Sequence, residues 1–329
     1  MLLPLSARDA TKLNEGGKLI MLKKQLMLQE RDIELLHFLA VYRRIKLEDT
    51  RNIYQTNIYY LRRIEKLSKY KYITRSMKLI HLGKAGKDYL DNNNIKIRKW
   101  CRNDVNINRI ERISNIAGSF YNSKYEFIPS FNLKKDIYTK SGRKYMGQLV
   151  DKKANITYIV YYLPDNMNKQ LLKTIQKDIQ KEKQENNVLI FYDSGESAAK
   201  YGIQSYGFNE LLLMQFTEDN IQLFKNYNPN KIKKFISNKM HTNLHPSLWQ
   251  GADYFIEENS SYISLLLLQD IRKIQEILQY FKLNGNSKRQ ITIICSTKDK
   301  DRYEKLLPMC KIKIFNPKED DDLWINQKL

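Results

Sequence analysis

His241 and His245 stand four apart in HTNLHP. On a helix that spacing puts two imidazoles on one face, as in zinc sites, and Asp253 is the nearest candidate for a third ligand. A histidine pair with no evident third donor is more often a loop or surface feature, so no metal is expected. Carboxylates offer a second chemistry. Asp151 and Asp165 flank the segment NITYIVYYL (155–163), where a hairpin strand could carry the acids that hold a divalent cation and activate water. The strand itself offers Ile159, Val160, Tyr161, Tyr162 and Leu163, with no E-x-K, and a hard cation needs oxygen ligands converging on one point. Tyrosine could attack a phosphodiester, but 22 tyrosines nominate none of them. Tyr158, Tyr161 and Tyr162 read as sheet packing, and His37 as part of an amphipathic helix. No GxxxxGK[ST] and no GxGxxG follows a strand, so nucleotide hydrolysis is not expected. Asp193-Ser194-Gly195-Glu196 reads as a turn without a base. Cys101, Cys295 and Cys310 form no CxxC pair, as suits a reducing cytoplasm, and none reads as a nucleophile. No cofactor is expected.

Cations with aromatic neighbours are the stronger signal. Residues 28–90 carry two blocks of apolar residues at helical spacing: Ile33, Leu36 and Leu39, then Ile58, Leu61, Ile64 and Leu67. A polar stretch, Lys46 to Thr56, leaves room between them for a short helix and a turn. Two strand-like runs follow, around Tyr70 to Ile73 and Met77 to Leu82. The order predicts a winged helix-turn-helix over 28–92. Its reader helix, Thr56 to Lys69, takes Thr56 as N-cap. The stripe Ile58, Leu61, Ile64 and Leu67 turns inward, leaving Asn57, Tyr59, Tyr60, Arg62, Arg63 and Lys66 outward. Arg62 and Arg63 suit guanine or phosphate, and Asn57 suits adenine. The hairpin from 69 to 78 adds Lys69, Lys71, Arg75 and Lys78 for the sugar–phosphate backbone or minor groove. A merely solvated basic face is the competing reading; helix order, hairpin and charge together favour DNA.

Three segments, Gln29 to Leu39, Tyr59 to Leu67 and Leu82-Gly83-Lys84-Ala85-Gly86-Lys87-Asp88-Tyr89-Leu90, resemble the replication-relaxation family of plasmids and related mobile elements. The resemblance covers the head well and the remainder weakly. It implies a winged-helix head followed by an α/β domain, working in plasmid replication, DNA relaxation or its control.

Length and composition agree with two domains. The chain has 329 residues, is 42% hydrophobic and carries a formal charge of +21. Residues 1–100 hold 22 Lys and Arg against 10 Asp and Glu. Positive charge is thus denser at the head, which suits a polyanion. Abundant Lys, Asn, Ile and Tyr also reflect an AT-rich genome, but such a bias does not concentrate lysine near a hairpin. No secretory signal and no run of eighteen apolar residues is present, so no membrane span is expected.

The expected organisation is a loose arm at 1–27, with a turn at Glu15-Gly16-Gly17 and Lys23 and Lys24 within reach of DNA. The head (28–92), a helical connector (93–122) and an α/β domain (123–329) follow. The connector's apolar residues, from Ile97 to Phe120, suit either internal packing or pairing with a second copy. In the α/β domain, strands are predicted at 125–133, 145–150, 155–163, 187–192, 210–215, 262–268, 291–295 and 311–315. Helices are predicted at 168–185, 197–201, 217–226, 269–283 and 299–307. No repeat of 20–50 residues is visible. The block at 145–192 has the layout of a restriction-endonuclease-like core, here degenerate because its acids are missing.

These readings combine into a cytoplasmic, sequence-specific binder of double-stranded DNA from a plasmid or mobile element, without enzymatic activity. It would act in replication initiation or control, as a homodimer, with the α/β domain free to engage a protein partner. A transcriptional regulator with the same head and a DNA-nicking or relaxing enzyme are the alternatives.

Overall fold

Asp32, Leu35, Leu36 and Leu39 lie at i, i+3, i+4 and i+7, one face of a helix. In the computed structural model they form the buried side of α1 (Glu30–Tyr42). The structure describes residues 11–13, 19–21, 26–56, 58–99, 104–133, 144–181, 187–202, 209–284 and 289–315. The fold is mixed α/β, and the chain divides into two compact units, residues 1–118 and 119–329.

The first unit begins with an antiparallel ribbon, β1 (Thr11–Leu13) and β2 (Leu19–Met21), within the segment expected to be a loose arm. The turn at Glu15-Gly16-Gly17 and Lys23 and Lys24 lie outside the described residues. After α1 come β3 (Arg44–Lys46), α2 (Thr50–Tyr54), α3 (Tyr59–Lys69), β4 (Ile73–Ser76), β5 (Leu79–Leu82) and α4 (Lys84–Asn92). The strand β3 was not anticipated. It pairs antiparallel with β5, so the basic hairpin is the outer part of a three-stranded sheet, ordered β3-β5-β4. Gly86 lets α4 seat on the chain that leads into β4. A Cβ there would lie 2.1 Å from the Tyr72 carbonyl oxygen, so any larger residue must push backbone aside.

Among the described residues of the stretch expected to be a connector, the helix is α5 (Asp104–Phe120). The α5 residues of this unit pack on the head. Arg44 pairs with Glu111 at 2.8 Å, Ser114 Oγ donates to the Arg44 carbonyl, and Asn52 Nδ2 donates to the Gly118 carbonyl at 2.9 Å. Ile110, Ile113 and Ile116 are buried, so this helix spends its apolar face internally.

The second unit holds two five-stranded sheets. The first is built from β6 (Tyr125–Pro129), β7 (Gly147–Asp151), β8 (Ile156–Leu163), β9 (Asn187–Tyr192) and β10 (Glu210–Gln215). The helices α6 (Lys169–Gln180) and α7 (Gly195–Tyr201) lie between its parallel strands. Strands β6, β7 and β8 form an antiparallel meander; β8, β9 and β10 run parallel. Strand β9, NVLIFY, is buried from Val188 to Tyr192, as its unbroken apolar run requires of a strand covered on both faces.

Two helices follow, α8 (Glu218–Asn226) and α9 (Pro229–Met240); α9 was not anticipated. Then the same plan returns. β11 (His245–Pro246), β12 (Tyr254–Ile256) and β13 (Ser261–Leu265) form a second antiparallel meander. After α10 (Ile271–Leu283), β14 (Ile291–Cys295), α11 (Lys300–Leu306) and β15 (Lys311–Ile314), the strands β13, β14 and β15 are parallel. The detail repeats as well. Each long strand is entered from a four-residue turn whose last residue is left-handed, Asn155 (φ 53) before β8 and Ser260 (φ 50) before β13. Each first crossover helix is capped by a side chain: Asn168 accepts from Leu171 N, and Asp270 from Arg272 N. The second unit is therefore a tandem pair of one topology, with a period too long to show as a short sequence repeat.

The two halves join at the edge of β10. Leu213 N donates to the Gln269 carbonyl at 3.2 Å, and a bridge links Leu212 with Asp270. The chain leaving β13 thus covers an edge that would otherwise present unpaired backbone groups.

Candidate nucleic-acid interface

The head's exposed cations depend on a buried one. α1 brings Asp32 into the core, and α3 brings Arg63 against it. Arg63 is 6% exposed and Asp32 fully buried, with Arg63 Nε 3.0 and 2.9 Å from the two carboxylate oxygens. Tyr54 OH, from α2, donates to Asp32 Oδ1 at 2.8 Å, and Gln29 N donates to Oδ2 at 2.7 Å. Three helices are thereby tied to one carboxylate. Burial, and then the adjacent Asp32 charge, hold the Tyr54 phenol far above its ordinary range. The hydrogen bond to Asp32 raises Arg63, outweighing the desolvation that opposes it.

This corrects the expected orientation of α3. Arg63 was expected outward and lies in the core. Ile58 and Leu61 were expected inward and are 69% and 44% exposed. The buried arc is Arg63, Ile64 and Leu67, with Tyr60 half-buried at its side. The sequence signal for this was available: Asp32 sits on the same helical stripe as Leu35, Leu36 and Leu39, and a charge on an apolar stripe needs an opposite charge facing it. Nor is Thr56 the N-cap. That place falls to Ile58, without a side-chain cap, and the buried Thr56 Oγ1 has no hydrogen-bond partner among the described residues. Asn57 lies outside the described residues.

The remaining candidate residues share an exposed surface of α3 and the hairpin. Tyr59 is exposed, its hydroxyl donating to Gln29 Oε1 at 3.0 Å. Arg62, Lys66 and Lys69 are exposed along α3, together with Glu65, the one acid on that face. Lys71, Arg75 and Lys78 are exposed on the hairpin; Arg75 Nε donates to the Met77 carbonyl at 3.3 Å. Met77, at the hairpin tip, is 92% exposed. Lys66 and Lys69 in the last turn of α3 also complement the helix dipole. Chemically the surface offers cations for phosphate oxygens and, in Ile58, Leu61 and Met77, apolar groups that sequence reasoning did not place there.

The candidate chemistries of the second unit are dispersed. His241 is the left-handed cap that ends α9, and His245 lies on β11, so the two are not on one helix face. Asp253 is paired with Lys273 at 2.7 Å. Asp151 accepts from the backbone N–H groups of Lys153 and Ala154, each at 3.0 Å. Asp165 accepts from the Ser194 and Ser197 hydroxyls at 2.5 Å; these bonds, Ser194 first, hold its carboxyl below the usual range. Among the described residues no group of three or more His, Cys, Asp or Glu is placed to hold a metal ion. Burial pushes the Cys295 and Cys310 thiols up to about 12, which leaves little thiolate near neutral pH. Cys101 lies outside the described residues. Tyr158, Tyr161 and Tyr162 are buried in the sheet, while His37 is exposed on α1. Among the described residues no helix is long and apolar enough to cross a membrane.

Comparison of the chain with family models, curated proteins and solved structures found no match.

Proposed function

We propose that the first unit is a winged helix-turn-helix and that the protein binds double-stranded DNA through it. The carrying observation is the division of labour on α3: one arginine is committed to the core, and Arg62, Lys66 and Lys69 stay outside beside the cations of an adjoining two-stranded hairpin. A helix fixed from behind by a buried ion pair can present its outer face to a groove with little loss of side-chain order. The hairpin cations then suit the flanking phosphates.

The resemblance of residues 29–39, 59–67 and 82–90 to replication-relaxation proteins supports a role in replication initiation or control on a plasmid or mobile element. In the second unit the meander followed by a crossover helix and a parallel strand supports a restriction-endonuclease-like scaffold, present twice. Its candidate acids are engaged in capping turns and hydroxyl groups, which supports binding rather than cutting, with the tandem body serving as a platform for a second copy or a protein partner.

Footprinting on the DNA of the element that encodes the protein tests this. The expected result is protection of a defined duplex, weakened by Arg62→Ala. Protection within repeats of an origin supports replication control, and protection at a promoter supports transcriptional regulation. Uniform, sequence-independent protection unaffected by Arg62→Ala would overturn the reading. So would nicked product from supercoiled DNA with Mg²⁺, in respect of the body.

A further inference from the structure

A concavity in the first unit, away from any residue assigned above, is lined by cations. Its volume is about 610 Å³, and Arg43, His81, Lys87, Arg98 and Lys99 contribute to its walls. A smaller cavity of about 140 Å³ shares Arg43 and His81 and adds Arg44. No Asp or Glu is among the described residues lining either one. Four separate elements deliver these groups. Arg43 is the C-cap of α1, held at φ 71; His81 lies on β5, Lys87 on α4, and Arg98 and Lys99 on the segment after α4. That segment is fastened to the end of α1 by Arg98 N, which donates to the Ala40 carbonyl at 3.0 Å. Leu39, Leu82 and Ile97 supply an apolar floor.

Arg43, Lys87 and Lys99 are exposed while His81 and Arg98 are half-buried, and like charges gathered around one hollow repel. The repulsion is visible at His81, whose imidazole is lowered by burial and then by Arg44 and Arg43; burial alone lowers the Arg98 guanidinium. Arg44 is balanced by Glu111 at 2.8 Å. Arg43, Lys87 and Lys99 have no such partner among the described residues. An anion in the hollow would remove the repulsion, and guanidinium forks match phosphate oxygens. The volume falls in the range of small-ligand pockets.

We propose that this hollow is a phosphate-binding site of nucleotide size, occupied by a free nucleotide or by a phosphate group of the bound duplex. The site does not depend on the DNA-binding reading of α3, since it shares no residue with that face.

The test uses the full chain, with inorganic pyrophosphate, ATP without magnesium and a duplex as probes, followed by calorimetry. The variant is Arg43→Gln with Lys99→Gln. Lys87→Gln, on the outer side of α4, replaces it if the melting temperature shifts. Lys173→Gln with Lys177→Gln, both exposed on α6 of the second unit, is the control for diffuse surface charge. Binding of pyrophosphate or ATP that falls at least tenfold in the cleft variants and is unchanged in the control establishes a free-ligand site. If only the duplex binds, and its affinity falls in the cleft variants, the phosphate belongs to DNA. Affinities for all three probes unmoved by the cleft variants would overturn the proposal, whatever α3 does.

Discussion

The Arg63 guanidinium closes on the Asp32 carboxylate in the core of the head, where both are buried and the Tyr54 hydroxyl adds a further hydrogen bond. Removing one partner strands a charge out of water, which typically costs about 3–5 kcal/mol. Arg63→Ala and Asp32→Ala should each lose stability on that scale in urea unfolding. Arg63→Lys should recover little, because an ammonium cannot reproduce the fork. A loss below about 1 kcal/mol in all three would mean that the pair does not organise the head.

Arg62, one position away, should behave oppositely. It is exposed, so Arg62→Ala should leave the unfolding free energy within the small range of surface substitutions, about 0.5 kcal/mol. On the proposed reading it weakens the best duplex by about 1–3 kcal/mol if it reads a base. Lys71→Ala and Arg75→Ala should weaken all duplexes alike and flatten the salt dependence by about 0.9 per lost phosphate contact. An unchanged salt slope in both would detach the hairpin from the DNA.

Ile58 and Leu61 carry a related expectation. Exposed apolar groups beside exposed cations suit thymine methyl groups in the major groove. After selection of a preferred duplex, replacing its thymines by uracil removes only those methyls. Affinity should fall for the wild-type protein and fall less for Ile58→Ala with Leu61→Ala. Equal losses in the two proteins would remove these side chains from the readout without touching the role of Arg62.

Much of this was legible in the chain, and the failures share a cause. The strands 187–192, 210–215 and 291–295 were read at their observed bounds, because short apolar runs between polar breaks leave few alternatives. Orientation was harder. Ile58, Leu61, Ile64 and Leu67 satisfy helical spacing, but the buried arc of α3 is set by Arg63 meeting Asp32, and apolarity alone ranks an arginine last for that place. Strand β3, three residues long, has no periodicity to detect. The tandem plan of the second unit escaped because it is conserved in turns and strand order while the side chains differ, as NITYIVYYL and SSYISLLLL show.

Glu210 gives a pH dependence. It starts β10, its carboxylate accepts from Tyr158 OH at 2.7 Å, and burial raises its pKa above the ordinary value, with Asp270 adding to the rise. A carboxyl that binds its proton more tightly when folded stabilises the protein below the unfolded pKa, about 4.3, and that contribution is lost as pH rises through the raised folded value. Glu210→Gln keeps an acceptor for Tyr158 and carries no charge. Its stability relative to wild type should therefore improve from pH 4 to pH 7 in urea unfolding. Parallel curves across that range would show that Glu210 ionises in the fold without penalty.

The two turns of the tandem unit offer the last test. Asn155 and Ser260 both occupy the left-handed region, at φ 53 and 50, immediately before the long strands β8 and β13. The conformation costs an ordinary L-residue about 1–2 kcal/mol, less for asparagine, whose side chain bonds locally, and nothing for glycine. The same backbone solution is thus met by a suited residue in the first half and an unsuited one in the second. Ser260→Gly and Ser260→Asn should both stabilise the protein, by about 0.5–1 kcal/mol, whereas Asn155→Gly should change it by a few tenths. The stabilised form should unfold at a higher temperature in calorimetry with no change in enthalpy per residue. If Ser260→Gly instead destabilised as much as Ser260→Ala, the Ser261 hydroxyl, which donates to Asn259 Oδ1 at 2.5 Å, would have to depend on Ser260 for its placement. The two turns would then be alike in shape but not in what maintains them.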